Sequence, residues 1–450
     1  MYKFILAFRY MFRKRISYLA LLAVSLCVFI VVVVMTVMTG LVDDFKRKNH
    51  EFVGDCVVAT ESLVGFGQYE DFVKILEGCD FVQAVSAVIR SYGLVSPGGS
   101  GQCVGVEIMG IDPVRHSQVT GFGKMLHYRR GQVSKAFEPV YDPNLPGCIA
   151  AVDLKLPRDA RGGYVYGAGP DREGLAVSCF PLTAKGALAR AGAGEVNTKT
   201  FYCSDYARSG LARIDDSLIY LPFEQAQMLC GMGQQPKRVS MLLVKFRQGV
   251  KPENGSRKVS RLWGDYTTQI KAEKKSVPQL ENVTVQNWKQ YRRAYIAAME
   301  KEQTMMIVMF ALVAVTTVFI VFVVFYMIIS HKSKDIGILK SIGVSNVDLI
   351  GLFSCFAFIM ASVSCCVGVF LGWLFLVKIN GIEDWLFEHF RFQLWDRSIY
   401  AIDAIPNTVD FKVLSGIVLS GICVCLAGAL AASRRAMKAR PVDSLQVSQL

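Results

Sequence analysis

Four stretches of this chain run for 21 residues or more without an Asp, Glu, Lys or Arg: 16–42, 304–330, 349–377 and 413–433. A bilayer core about 30 Å thick is crossed by about 20 helical residues, so each stretch is long enough to span it. Backbone polar groups inside lipid must be satisfied within their own segment, which makes these stretches helices and leaves little freedom elsewhere. A hydrophobic content of 52% over 450 residues agrees with that class. The first stretch follows Lys3, Arg9, Arg13, Lys14 and Arg15, as a secretory signal would. It is 27 residues long, against about 7–15 for a signal core, and no A-x-A site follows, so it is expected to remain as an anchor.

Basic flanks set the orientation. The N-terminal tail holds those five cations, the connection after 330 holds Lys332, Lys334 and Lys340, and the C-terminal tail holds Arg434, Arg435, Lys438 and Arg440. Acids outnumber cations between the third and fourth stretches. Both termini are therefore expected in the cytosol of a multi-pass membrane protein, with a large domain outside it. The expected layout is a cytoplasmic interfacial helix over 1–15, a span over 16–42 and an extracytoplasmic domain over 43–284. An amphipathic stalk and second span follow over 285–330, a cytoplasmic helix over 331–348 and a span over 349–378. An extracytoplasmic loop over 379–412, a span over 413–433 and a cytoplasmic tail over 434–450 complete it. The net charge of +13 is explained by the cytosolic flanks, and no aromatic-basic array points to nucleic acid.

The thirteen cysteines show no C-x-x-C or Cys/His metal spacing and are read as small buried hydrophobes. The inserted region mixes periodicities, so its class is α+β. Positions 68–77 place Phe72, Ile75 and Leu76 at helical spacing with Gly78 as the C-cap. Segments 81–95, 102–111, 217–221 and 239–246 read as strands, and Pro222 opens a helix over FEQAQML. The glycine-rich 162–174 is expected as a mobile loop. Trp288, Tyr291, Tyr295 and Met299 fall on one helical stripe, which predicts a continuous rod over 285–330.

Between the second and third stretches, Ser333 reads as an N-cap, Ile336, Leu339 and Ile342 form an apolar stripe, and Gly343 stops the helix. Ser345 and Asp348 then resemble a capping box for the third span. Two readings stand: the short helix rests at the membrane interface, or it inserts its stripe into a groove on a cytosolic partner.

The stretch K-D-I-G-I-L-K-S-I-G-V-S (334–345) resembles the E-I-[AG]-I-L-[RK]-x-[LMI]-G-[AV]-S signature of the ABC permease family containing MacB, FtsX and the lipoprotein-releasing (LolC/LolE) permeases. The closing A-R-P-V-D-S-L-Q is similar to that family's C-terminal pattern. Likeness to the lipoprotein-releasing branch extends through Arg9 and Tyr10, VEIMGIDP (106–113), DDSLIYLP (215–222) and Trp288 with MEKEQTMM (299–306). The resemblance implies a two-lobed ectodomain between the first and second transmembrane helices. It implies that Asp335, Ile336, Ile338, Leu339, Lys340, Ile342, Gly343 and Ser345 dock on a cytosolic ABC ATPase dimer, which alone binds ATP and Mg. A second permease subunit completes the complex, as a homo- or heterodimer. Thr183, Gly186 and Arg190 fall where one such permease contacts a periplasmic lipoprotein carrier, although the proline and the P-x-Q-R of that loop are missing here. A cleft for lipid-anchored cargo is expected between the first two spans at Val31, Met35, Met38 and Met309, where methionines offer adaptable surface.

No G-x-x-x-x-G-K-[ST] or H-E-x-x-H occurs, and no nucleophile–base spacing is visible, so the chain is expected to be a permease subunit and no enzyme, with no metal or cofactor of its own. Charge-free spans argue against a proton- or ion-coupled carrier. The expected function is extraction of lipoproteins from the inner membrane toward a periplasmic carrier. The alternatives are an FtsX-like signalling permease controlling a cell-wall hydrolase and a MacB-like efflux permease.

Overall fold

The computed structural model describes residues 15–97, 103–180, 182, 196–272, 280–331, 343–392 and 404–437. The chain divides into a helical unit, formed before Asp44 and after Ala297, and an inserted unit, Asp44–Ala297.

The inserted unit is organised by strands β1 (Cys56–Thr60), β2 (Phe66–Gly67), β3 (Val82–Pro97), β4 (Val104–Ile111), β5 (Gly147–Ala151), β6 (Gly174–Cys179), β7 (Asn197–Ala207), β8 (Leu218–Pro222), β9 (Arg238–Val239), β10 (Met241–Phe246) and β11 (Val283–Asn287). Nine of them form one sheet in the order β11-β1-β10-β3-β4-β8-β5-β7-β6, and β2 pairs with β9 apart from it. The 16-residue β3 is the pivot. One of its edges pairs with β10 through residues 82–88 and with β6 through Gly93–Pro97, while the other pairs with β4 from Val88 to Val95. Strands β3, β4, β8, β5, β7 and β6 therefore close into a ring, and β10, β1 and β11 extend from it as an open flank. These are two lobes sharing one strand. The β4–β8 and β5–β7 pairs are parallel and the rest antiparallel, a mixed α+β arrangement.

Both faces of the flank are covered, which is why CVVA and MLLV read as unbroken apolar runs rather than alternating ones. On one face the helices Tyr69–Glu77 and Pro252–Ala272 bury Phe72, Leu76, Val259, Trp263 and Tyr266. The Trp263 ring meets Phe72 edge-on at 4.7 Å, and the Tyr266 hydroxyl donates to the Gln68 carbonyl at 2.6 Å. On the other face Phe52, Phe122, Tyr220 and Trp288 form a second core.

Several expectations need correction. Ile75 is 39% exposed, because Tyr69 and Val73 complete the buried stripe instead. Gly78 is the C-cap as expected, in the right-handed region at φ −76°. The 162–174 loop is pinned by contacts: Tyr166 stacks on His127 at 3.6 Å and Lys155 pairs with Asp171 at 3.0 Å.

Among the described residues, the helices long and apolar enough to cross a membrane are Arg15–Val53, Arg293–His331, Asn346–Phe390 and Phe411–Met437, the first and second of which share residues with both units. The first continues past residue 42 to Val53, with Asp44 bridging Lys48 at 2.9 Å on its surface. The rod expected over 285–330 is interrupted. Residues 283–287 are strand β11, paired with β1, and Asn287 caps the single turn Trp288–Tyr291 in a box with Gln290. A break at Arg292 precedes the long helix from Arg293. Likewise 379–390, expected as loop, is helical, ending where Arg391 turns left-handed at φ +54°.

Candidate functional site

Transmembrane helices gain nothing from expelling water, so their association depends on close fit. The third helix supplies it through Gly368 and Gly372, four residues apart. A Cβ at Gly368 would stand 2.6 Å from the Ser25 carbonyl oxygen, and one at Gly372 would stand 3.0 Å from Val32. The third helix is thereby locked to the first, and Leu349, Phe353, Phe356 and Met360 join the core beside Val321, Cys425 and Ala429.

The first, second and fourth helices leave a groove instead of closing on one another. Its volume is about 500 Å³, and its walls include Val24, Val28, Phe310, Ala314, Ile417 and Val424. That size falls within the roughly 300–1,000 Å³ of ligand pockets. Polar side chains on the walls are turned inward to their own helices. Thr317 donates to the Val313 carbonyl at 2.8 Å and lies 3.0 Å from the Cys27 thiol, while Ser420 donates to the Ile417 carbonyl at 2.9 Å. The groove therefore presents hydrocarbon, with Lys412 the single charged residue on its lining among the described residues. On the first and second helices the lining spans 24–35 and 307–317.

Of the residues singled out as a cleft, Val31 and Met35 line this groove. Met38 is half-buried away from it, and Met309 is 64% exposed on the second helix. The sequence reading missed the whole contribution of the fourth helix, including Gly416, Ser420 and Gly421. Their signal was a run of small residues in an apolar helix.

Of the residues assigned to ATPase docking, Asp335, Ile336, Ile338, Leu339, Lys340 and Ile342 lie outside the described residues. Gly343 has φ +96°, a conformation that favours glycine. Ser345 caps the third helix: its hydroxyl oxygen accepts from the Asp348 N–H at 3.1 Å, and its proton goes to the Asp348 carboxylate at 2.9 Å. Thr183, Gly186 and Arg190 also lie outside the described residues. Among the described residues no group of three His, Cys, Asp or Glu side chains is placed to hold a metal.

Residues 307–441 match the family described as FtsX-like permease C-terminal. The chain is 23% identical over 449 residues to the lipoprotein-releasing system transmembrane protein LolC of Neisseria meningitidis serogroup B, covering 97% of this chain and 95% of that one. It is 20% identical over 162 residues to LolC of Xylella fastidiosa, covering 36% and 39%. Among solved structures, the extracellular domain of the noncanonical ABC-type transporter YknZ from Gram-positive bacteria matches 48% of this chain and 94% of its own, at 12% identity and a TM-score of 0.30. The periplasmic region of MacB from Actinobacillus actinomycetemcomitans matches 55% and 94%, at 11% identity and a TM-score of 0.29.

Proposed function

We propose, from the premise that this chain is an ABC-type permease with an FtsX-like permease domain at 307–441, that it extracts lipid-anchored proteins from the inner membrane for a periplasmic carrier. The observation that carries this reading is the groove. Three helices wall a space of about 500 Å³ whose hydroxyls are spent on their own backbones, leaving a surface suited to acyl chains and unsuited to ions. Likeness to a LolC along 97% of the chain supports the same cargo class.

In this reading both termini are cytosolic and Asp44–Ala297 is periplasmic, in keeping with the basic flanks. A separate ATPase dimer, carrying ATP and Mg, pushes on 332–343. A second permease copy or a related subunit completes the transporter. Closure of the groove then squeezes the acyl chains out toward the periplasm.

Depletion of the protein is the direct test. Outer-membrane lipoproteins should accumulate in the inner membrane; chaining of cells with normal lipoprotein sorting would overturn the reading in favour of hydrolase control. Val31→Trp, which fills the groove, should stop release while the ATPase still co-purifies. Leu339→Asp and Ile342→Asp should lose the ATPase itself.

A further inference from the structure

The inserted unit holds a second space, of about 370 Å³, whose chemistry is unlike that of the groove. Three arginines face it: Arg90 on β3, Arg213 on the helix Ala212–Ser217, and Arg292 at the break before the second long helix. One carboxylate, Glu107, answers them.

Arg90 is engaged through all three of its nitrogens. Its Nε donates to Glu107 Oε1 at 2.5 Å, its Nη1 to the Tyr291 hydroxyl at 3.2 Å and its Nη2 to the Tyr92 hydroxyl at 3.4 Å. Arg292 differs. It is 9% exposed, its Nε is buried with no partner, and its guanidinium makes no hydrogen bond or ion pair among the described residues. Aromatic faces hold it, Phe52 at 4.8 Å, Tyr295 at 5.2 Å and Tyr291 at 6.0 Å from its Cζ, and Glu107 attracts it from a distance. Tyr295 is shared with Arg213, whose Cζ lies 5.7 Å from the same ring.

A guanidinium carries five donors, and cation–π contact satisfies none of them. Burying such a group unpaired is costly, and native proteins rarely leave it so. A cavity beside it supplies the missing partner's place. The surplus of two positive charges matches a phosphoryl group, which carries about −1.5 to −2 as a monoester near pH 7, and the guanidinium fork fits its oxygens in pairs. Aromatic and aliphatic walls, among them Phe45 and Phe52, call for an apolar body behind that head.

We infer that this cavity binds a phosphorylated amphiphile, its phosphoryl oxygens on Arg292 and Arg213 and its apolar part against Phe45 and Phe52. The source is either a bilayer lipid or a soluble phosphoester. The inference stands on the inserted unit alone, so binding and lipoprotein release are measured separately and fail separately.

The full chain in phosphatidylcholine nanodiscs is titrated calorimetrically with dihexanoyl phosphatidate, which is soluble as a monomer. One saturable site per chain is expected, at least tenfold tighter than for dihexanoyl phosphatidylcholine or inorganic phosphate. Arg292→Gln should weaken binding at least tenfold, and Arg213→Ala, on an exposed residue, about threefold at an unchanged thermal midpoint. If Arg292→Gln does not fold, Arg292→Lys, which keeps the charge and loses the fork, should show the tenfold loss. Long-chain phosphatidate placed in the nanodisc should compete if the bilayer is the source; absence of competition alongside tight soluble binding identifies a soluble phosphoester. Equal affinity for phosphatidate and phosphatidylcholine, equal affinity for inorganic phosphate, or no effect of the Arg292 and Arg213 variants overturns the site.

Discussion

The inserted unit and the helical unit solve the burial of polar groups in opposite ways. In the inserted unit, acids are taken inside and wrapped. Asp205, fully buried, accepts four backbone N–H groups, from His127, Tyr128, Arg129 and Tyr206, at 2.7 to 3.2 Å. Asp215 accepts from the Ser209 and Gly210 backbones and the Ser209 hydroxyl. Burial raises both carboxyls above their usual range, outweighing those bonds. Burial also opposes charge on Asp55, but there the bond to His50 at 2.7 Å, the Phe246 N–H at 2.8 Å and nearby Lys245 prevail, and its pKa is lowered. In the helical unit, the hydroxyls of Thr317, Ser420 and Ser433 turn back on their own helices and the closest fit is made by glycines. Directional bonds define the first unit; shape defines the second.

That contrast can be broken at its strongest point first. Trp263→Ala removes the ring around which Phe66, Phe72 and Tyr266 are arranged and should cost about 3–5 kcal/mol of unfolding free energy, read from the inserted-unit transition in denaturant. A loss below about 1 kcal/mol would mean that the aromatic cluster does not define that face.

Gly368→Leu drives a side chain into the Ser25 carbonyl and should cost about 3 kcal/mol, at the upper end of ordinary overpacking, lowering the thermal midpoint of the helical unit only. A shift of the inserted unit's transition instead would contradict the division of labour.

Asp55→Asn should cost about 2 kcal/mol near pH 7, as expected for a buried hydrogen-bonded charge. Because the folded pKa lies below the unfolded value near 3.9, the native carboxylate stabilises the fold above that pH and ceases to do so as pH falls through the folded pKa. The difference between wild type and Asp55→Asn should therefore vanish in strong acid. Asp205 and Asp215 shift the other way and cancel from that difference, which isolates Asp55. A gap that persists below pH 2 would assign the effect to shape.

The smallest effect sharpens the comparison from the other side. Gly416, on the groove wall, has no heavy atom within 4 Å of an added Cβ, so Gly416→Ala should change stability by less than about 0.5 kcal/mol. A loss as large as that of Gly368→Leu would show that the groove is closed.

Charge-free runs made the four long helices legible, yet their ends were misplaced for a common reason. Charges mark where a helix leaves lipid, not where it stops. Hence the first helix runs on through DDFKRKN, where the Asp44–Lys48 pair favours helix, and the third runs on to Phe390. The stripe Trp288, Tyr291, Tyr295, Met299 is genuine in spacing but crosses the break at Arg292. The Asn287–Gln290 capping box was visible in NWKQ and would have marked the new helix start. For the groove, Val31 and Met35 were within reach because adjacent spans are neighbours by default. The share of the fourth helix was not, since uniform apolar helices carry no pattern naming their neighbours. Arg292 was hidden among ordinary surface cations, and only burial sets it apart.

The closing of β3 onto β6 decides how this molecule can meet others. A sheet with two free margins invites copies to add strand upon strand without end. Among the described residues the ring consumes one margin of the large sheet and β11 forms the other, so an incoming strand would find its berth along β11.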